Sequence, residues 1–152
     1  MHISYRDYDL NKGDLKYATD KSGSWVYSTI DSVNNVGSKN SIGIDSNGNV
    51  YISYVDATNS QMFYITDASG SWVKSLIENG GTDTSIAIDS SDIIHISYRD
   101  SINSALKYIS LDSSSNIHGF SISPALPTGL IMDITTGTIS GTPTITSVNT
   151  TY

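Results

Sequence analysis

The stretch HISYRD fills residues 2–7 and returns letter for letter at 95–100, with YISYVD at 51–56 between them. Three times, then, an aromatic ring stands two residues ahead of a carboxylate: Tyr5 with Asp7, Tyr54 with Asp56, Tyr98 with Asp100. Two of the three intervening residues are basic, Arg6 and Arg99. Aromatic faces that stack on C–H groups, beside carboxylates that accept hydroxyls, suit a carbohydrate ligand. These eight side chains are therefore the candidate ligand-binding set (Tyr5, Arg6, Asp7, Tyr54, Asp56, Tyr98, Arg99, Asp100). Asp also caps tight turns through its own backbone. For the recurring Asp, turn capping is the preferred reading.

Other chemistry is sparse. The histidines are His2, His95 and His118, and the position of His2 and His95 is filled by Tyr51 in the middle copy. A site shared by His and Tyr reads as amphipathic packing rather than as a general base. No Gly-x-Ser-x-Gly elbow is present. The loop DYDLNKGD at 7–14 sets Asp7, Asp9, Asn11 and Asp14 together, and DSNGN at 45–49 does so for Asp45, Asn47 and Asn49. Oxygen ligands at alternate positions suit Ca²⁺, but an EF-type loop wants Gly at its sixth position and a Glu at its twelfth. Neither loop has both, and turn formation is preferred. No catalytic residue, metal or cofactor is assigned.

The elements that position these residues follow from the repeat. SIGID at 41–45 returns as SIAID at 85–89. LKYAT at 15–19 returns as MFYIT at 62–66 and LKYIS at 106–110. GSWVYSTI at 23–30 returns as GSWVKSLI at 70–77. The spacings between phrases agree, with ten residues from Ser41 to Tyr51 and from Ser85 to His95. The period is 49 residues from His2 to Tyr51 and 44 from Tyr51 to His95. The five extra residues fall in two turn-like stretches: two between Asp7 and Leu15, three between Ile30 and Ser41. Turns tolerate insertions that strands do not.

Each phrase is short, β-branched and aromatic, and is bounded by Asp, Asn, Gly and Ser, as a strand should be. Four short strands in 40–50 residues predict a β-propeller blade. With the strands labelled A (SIxID), B (xISY), C (LKYxT) and D (SWVxSxI), the chain runs B-C-D, A-B-C-D, A-B-C. The fold class is all-β: four-stranded antiparallel repeats making about two and a half blades, where a ring needs at least about four. One chain cannot close a ring. Homo-oligomerisation that completes blades across chains is the expected partnership. Residues 118–146 are a further source of strands, locally or by exchange.

The composition agrees. Ser, Thr, Asn, Asp and Gly abound, and Glu78 is the one glutamate. Eight Lys and Arg against fifteen Asp and Glu leave a net charge of −7, which disfavours nucleic acid and anionic membranes. There is no cysteine, no apolar run long enough to insert in a bilayer, and no signal-peptide pattern at the N-terminus. The chain opens inside a repeat, so a preceding segment is expected.

The turns TDKSGSW (19–25) and TDASGSW (66–72) lie between strands C and D. Their structural repeat positions are Asp20 and Asp67, Gly23 and Gly70, and Trp25 and Trp72. This arrangement resembles the Asp-box turn of sialidase-type propellers, S-x-D-x-G-x-T-W, with a departure in spacing. The resemblance implies a propeller and carries no activity. A sialidase-type site would need three arginines gripping a carboxylate and a Tyr nucleophile activated by Glu, whereas this chain has two arginines.

After residue 112 the composition shifts. Residues 113–152 hold one formal charge, Asp133, and all three prolines, Pro124, Pro127 and Pro143. SISPALPTGL (121–130) and TTGTISGTPT (135–144) resemble an Ig-like domain of bacterial and archaeal surface proteins. The likeness spans part of such a domain, so 113–152 is expected to be a partial Ig-like segment that does not fold alone, beside blades at 1–112. It implies an extracellular or cell-surface setting. NTT at 149–151 fits the glycosylation acceptor pattern. The expected function is non-enzymatic binding or scaffolding on a microbial surface, with glycans as the ligand class. A sialidase-like glycosidase fragment and a purely structural repeat are the alternatives.

Overall fold

The computed structural model describes residues 1–9, 12–112, 117–120, 126–132 and 139–144. Every regular element among them is a strand: β1 (His2–Asp9), β2 (Lys12–Thr19), β3 (Val26–Asp31), β4 (Ser38–Ile44), β5 (Val50–Asp56), β6 (Gln61–Thr66), β7 (Val73–Asn79), β8 (Gly81–Ile88), β9 (Ile94–Asp100), β10 (Ala105–Leu111), β11 (Ile117–Phe120), β12 (Leu130–Met132) and β13 (Ile139–Gly141). The first ten are the ten repeat phrases in order. They form antiparallel meanders: β1-β2-β3, β4-β5-β6-β7 and β8-β9-β10. β11 adds to β10 through Ile109↔Phe120 and Leu111↔Ile117, so the third sheet has four strands, and pairing continues past residue 112. β12 and β13 make a separate hairpin. The fold is all-β, built of propeller-type blades.

The blades pack face to face because a single sheet can bury neither of its faces by itself. One apolar cluster joins the first and second blades: Leu15, Tyr17, Val36, Val50, Ile52, Tyr54 and Ile65. Another joins the second and third, with Tyr51, Met62, Tyr64, Ile86, Ile94, Ile96, Tyr98, Ile109 and Leu111. The middle blade is covered on both sides, and β5 is buried at every position from Val50 to Asp56. Continuous burial removes the in–out alternation that a one-sided strand shows.

The innermost strands repeat one distortion. β4 and β8 each shift register at the same place, between Ser38 and Ser41 and between Thr82 and Ser85. Lys39 (φ 53°) and Asp83 (φ 49°) occupy the left-handed region at that bulge and form an ion pair at 3.2 Å. Gly43 sits at a close approach: a Cβ there would stand 3.0 Å from Ile88 Cγ1, so a side chain would have to displace that isoleucine by a few tenths of an ångström.

The two insertions inferred from the period meet each other. Val36 N–H donates to Gly13 C=O at 2.9 Å, and Gly13 N–H donates to Asn35 Oδ1 at 2.8 Å. Arg6 Nη2 also donates to Asn35 Oδ1. Asn35 then carries the contact to the second blade, donating its N–H to Thr58 Oγ1 and accepting from Ala57 N–H at 2.8 Å. In the shorter repeat, Gly80 alone does this work, accepting from Ser101 N–H at 2.9 Å.

One polar pair differs between the two blade contacts. Ser4 Oγ donates to Asn40 Oδ1 at 2.7 Å across the first. The equivalent positions across the second are Ser53 and Thr84, and their hydroxyls are buried with no hydrogen-bond partner among the described residues. Thr84→Asn is expected to restore the missing bond and stabilise the fold by about 0.5–1.5 kcal/mol, read as a rise in the denaturant midpoint. An unchanged or lower midpoint would show that the two contacts are not equivalent.

Candidate functional site

The B–C turns show what the recurring Asp does. Asp56 Oδ1 accepts the N–H groups of Thr58 (2.9 Å) and Asn59 (3.3 Å), while Oδ2 accepts Asn59 Nδ2 (2.9 Å) and Asn34 Nδ2 (2.8 Å). Asp100 repeats the pattern with Ile102 N–H, Asn103 N–H and Asn103 Nδ2, and takes Lys107 Nζ at 3.0 Å as its fourth donor. A carboxylate has roughly four lone-pair sites, so both are filled. Asp7 differs. Its turn carries the insertion, its side chain is exposed, and it lies 3.5 Å from Lys16 Nζ. The three carboxylates therefore do not form a ring of free acceptors.

The three tyrosines separate in the same way. Tyr54 is 0 % exposed and Tyr98 1 %, so neither ring offers a face to a sugar; Tyr5 is half-buried. Arg6 lies over the Tyr8 ring at 4.8 Å and reaches Asn35, whereas Arg99 is exposed on the far side of the third blade. The sugar-facing constellation expected from HISYRD is thus not assembled. Its buried members tie blades together instead.

That tie is a feature the sequence reading missed. Tyr54 O–H donates to Asp31 Oδ2 at 2.7 Å, and Lys74 Nζ donates to the same oxygen at 3.0 Å. Asp31 ends the fourth strand of the first blade; its two partners belong to the second. The next contact repeats the arrangement: Glu78 near the end of β7 accepts Lys107 of the third blade and interacts with Tyr98. Asp31 and Glu78 each lie six residues after their Trp, which was the available signal. Burial first, then the acid beside it, pushes the phenols of Tyr54 and Tyr98 well above the ordinary Tyr range. Both remain donors at any ordinary pH.

A second clasp joins strands within a blade. In the third, His95 Nε2 stands 3.1 Å from Asp89 Oδ2 and Nδ1 stands 2.5 Å from Tyr108 Oη. A hydrogen on Nε2 satisfies both, because Nε2–H then donates to the carboxylate while Nδ1 accepts from the phenol. A Tyr–His–Asp array could do acid–base chemistry. Its equivalent in the second blade argues for structure, since Tyr51 O–H donates to Asp45 Oδ2 at 3.3 Å in place of His. Burial first, then Asp45, pushes the Tyr51 phenol up to about 12. In the first blade His2 stacks on Tyr17, and among the described residues no A-strand Asp stands beside it. His118 lies on β11; its side chain is outside the described residues.

The Asp-box-like turns superpose bond for bond. Gly23 N–H donates to Asp20 C=O at 2.8 Å and Gly70 N–H to Asp67 C=O at 2.7 Å, with both glycines left-handed at φ 86° and 84°. Asp67 Oδ1 accepts Val50 N–H at 2.7 Å, and the chain's amino group takes that role at Asp20. Trp72 packs edge-on against Tyr17 of the preceding blade, centroids 5.3 Å apart. Trp25 is 41 % exposed and stacks on Tyr27.

The calcium reading finds other occupants. Asp7 and Asp14 share Lys16 at 3.5 and 3.7 Å, and Lys12 lies 3.7 Å from Asp14. Asn11 and the Asp9 side chain lie outside the described residues. Asp45 accepts from the backbone of Asn47 and Asn49 and from Asn49 Nδ2, as a turn cap. Among the described residues no three His, Asp or Glu side chains converge as metal ligands.

The sheets, their register and the repeated clasps define a segment of propeller-type blades. No protein-family model matches the sequence, and no curated protein matches it. Among solved structures, a similar chain is "Hadza microbial sialidase Hz136", at 15 % identity and a TM-score of 0.48, covering 80 % of this chain and 35 % of that one. This chain spans about a third of that sialidase's length.

Two outcomes follow from the clasps. Tyr54→Phe leaves the buried Asp31 carboxylate short of a donor and is expected to cost about 1–3 kcal/mol, Tyr98→Phe, beside the partly exposed Glu78, to cost less, and Tyr5→Phe almost nothing. Equal effects at all three, measured by chemical denaturation, would refute the assignment. The donors on Asp100 and Asp56 outweigh burial and hold both carboxyls below their ordinary value. A depressed folded pKa supplies stability above the unfolded value that is lost as pH falls through the folded one. Melting temperature should therefore drop below about pH 4, less steeply in Asp100→Asn.

Proposed function

We propose that this chain is a non-enzymatic scaffold module, carried on a microbial surface or secreted, whose two outer blade faces associate with a second copy. The observation that carries this reading is a comparison of equivalent residues. Leu15 of the first blade is 0 % exposed against the second blade, whereas its repeat partner Leu106, on the outer face of the third, is 84 % exposed. At the other end Trp25, Tyr27 and Ile3 are open, at positions where the second blade buries Ile52, half-buries Trp72 and sets Lys74 on Asp31 of the first. An exposed face of this kind marks an association surface. The same contact, made between chains, is heterologous and head to tail.

Residues 113–132 contain no Asp or Glu, so a contact between copies lacks the latch acid at the end of the fourth strand and rests on the apolar pairs. The groups a hydrolase would need support the non-enzymatic reading. Glu78 is held by Lys107, Arg6 by Asn35, and His2 and His95 by tyrosines. Light scattering over a range of concentrations should give one defined oligomer, and Leu106→Asp should return it to monomer. A wild-type chain that stays monomeric at micromolar concentration and unfolds cooperatively would overturn the reading.

A further inference from the structure

The turn between β4 and β5 and the turn between β8 and β9 make the same bonds with different residues. In the second blade Gly48 N–H donates to Asp45 C=O at 3.0 Å, and Asp45 N–H to Asn49 C=O at 3.1 Å. In the third, Asp92 N–H donates to Asp89 C=O and Asp89 N–H to Ile93 C=O, both at 3.0 Å. Gly48 and Asp92 both take the left-handed conformation, at φ 83° and 60°. Ser91 stands where Asn47 does, and each gives its N–H to the first Asp of its turn. The turn therefore asks nothing of the Asn47 side chain. Among the described residues that side chain has no hydrogen-bond partner, and Asn47 is exposed.

Every other described asparagine has its side-chain amide engaged. Asn34, Asn40, Asn49, Asn59 and Asn103 donate through Nδ2, and Asn35 accepts through Oδ1. Asn47 is also followed by glycine, which has no side chain to obstruct its nitrogen and reaches backbone conformations closed to other residues. The sequence has a second such pair, Asn79–Gly80. There Gln61 Nε2 holds Asn79 Oδ1 at 2.9 Å, and the buried Gly80 gives its N–H to Ser60 C=O at 2.5 Å. Freeing the Gly80 nitrogen disturbs the paired ends of β6 and β7, whereas freeing that of Gly48 opens one surface turn.

We propose that Asn47 is a site of spontaneous covalent modification, converting chiefly to isoaspartate and loosening the contact between the second and third blades. The Gly48 nitrogen, its proton lost to hydroxide, attacks Asn47 Cγ. An N–Cγ bond forms, the Cγ–Nδ2 bond breaks, and the leaving nitrogen takes a proton from water and departs as ammonia. Water then opens the cyclic imide at either carbonyl. Opening at Cγ restores the ordinary backbone as aspartate. Opening at the former main-chain carbonyl leaves the chain running through Cβ, one carbon longer, with a free α-carboxylate. The extra carbon enters the turn whose Ser46 N–H and Oγ donate to the two oxygens of Asp92 at 2.8 and 2.5 Å, which joins the A–B turns of the two blades. The new charge enters a turn already built around the Asp45 carboxylate.

The test is to hold the native chain in warm, mildly alkaline buffer and map its peptides over time by mass spectrometry, with fragmentation that separates isoaspartate from aspartate. Asn47 is expected to convert several-fold faster than Asn79, chiefly to isoaspartate, while in denaturant the two pairs react at similar rates. Asn47→Ser, which copies Ser91, should fold as the wild type does and stay unmodified at this turn. The aged wild-type chain should melt lower than the fresh one and exchange the Ser46 amide faster, and aged Asn47→Ser should do neither. Asn47→Asp, which adds the charge without the extra carbon, should lose less than the aged chain. A native chain in which Asn47 outlasts Asn79, or keeps both intact while the unfolded chain reacts, would overturn the site. Conversion at Asn47 with melting and Ser46 exchange unchanged would overturn its effect on the blade contact.

Discussion

The constraint on which this molecule depends is that a four-stranded twisted sheet has two faces and can bury neither alone. The middle blade shows the solution. Its β5 is buried along its whole length, with Ile52 and Tyr54 turned to one neighbour and Tyr51 and Met62 packed toward the other. At about 25 cal/mol per Å² of apolar surface, such two-sided burial outweighs any single polar contact. The polar groups then serve mainly to align one blade on the next. Asp31 and Glu78, each reached by a Tyr and a Lys from the following blade, act as pins between stacked plates. A buried carboxylate stripped of its partners is costly, so a blade that slipped in register would be penalised at each pin.

The same logic explains why many chemistry-bearing side chains among the described residues are engaged in holding turns and strands. Asp45, Asp56 and Asp100 spend their oxygens on the backbone of their own turns. His95 and Tyr108 satisfy each other, with Asp89 behind them. A group whose hydrogen-bonding capacity is filled at rest has little left for a ligand. Among the described residues the repeat's own burial rule is unmet on the outer faces, marked by Leu106 and Trp25.

The insertions illustrate how local tolerance and tertiary fit interact. The added residues near Gly13, which lengthen the β1–β2 ladder, and those near Asn35, in the loop between β3 and β4, are 22 positions apart, yet they share hydrogen bonds through Gly13 and Asn35. A Cβ at Gly13 would stand 2.9 Å from the Val36 backbone oxygen and would have to push the Arg6 side chain aside. The longer first repeat thus gains a small docking point between its two insertions that the shorter repeat replaces with Gly80.

Strand order, blade content and turn positions were legible in the sequence because each depends on local chemistry: β-branched runs, Asp-x-x-Asn and Ser-Gly punctuation, and a period that survived two insertions. All ten repeat phrases became the strands expected of them. The turn role of Asp56 and Asp100 was legible too, since Asx capping is decided within four residues. What the sequence could not decide is which equivalent residue faces a neighbour. Tyr5, Tyr54 and Tyr98 are the same letter at the same repeat position, and only the presence of a preceding blade buries the last two. Likewise HISYRD specifies a strand twice but does not say that one copy has a partner on each edge and the other on a single edge. Pairing of Asp31 with Tyr54 and Lys74, and of β11 with β10, joins residues by shape and distance across the chain. Propensity acts along the chain, whereas burial and strand addition act across it, and only the folded arrangement sets the second.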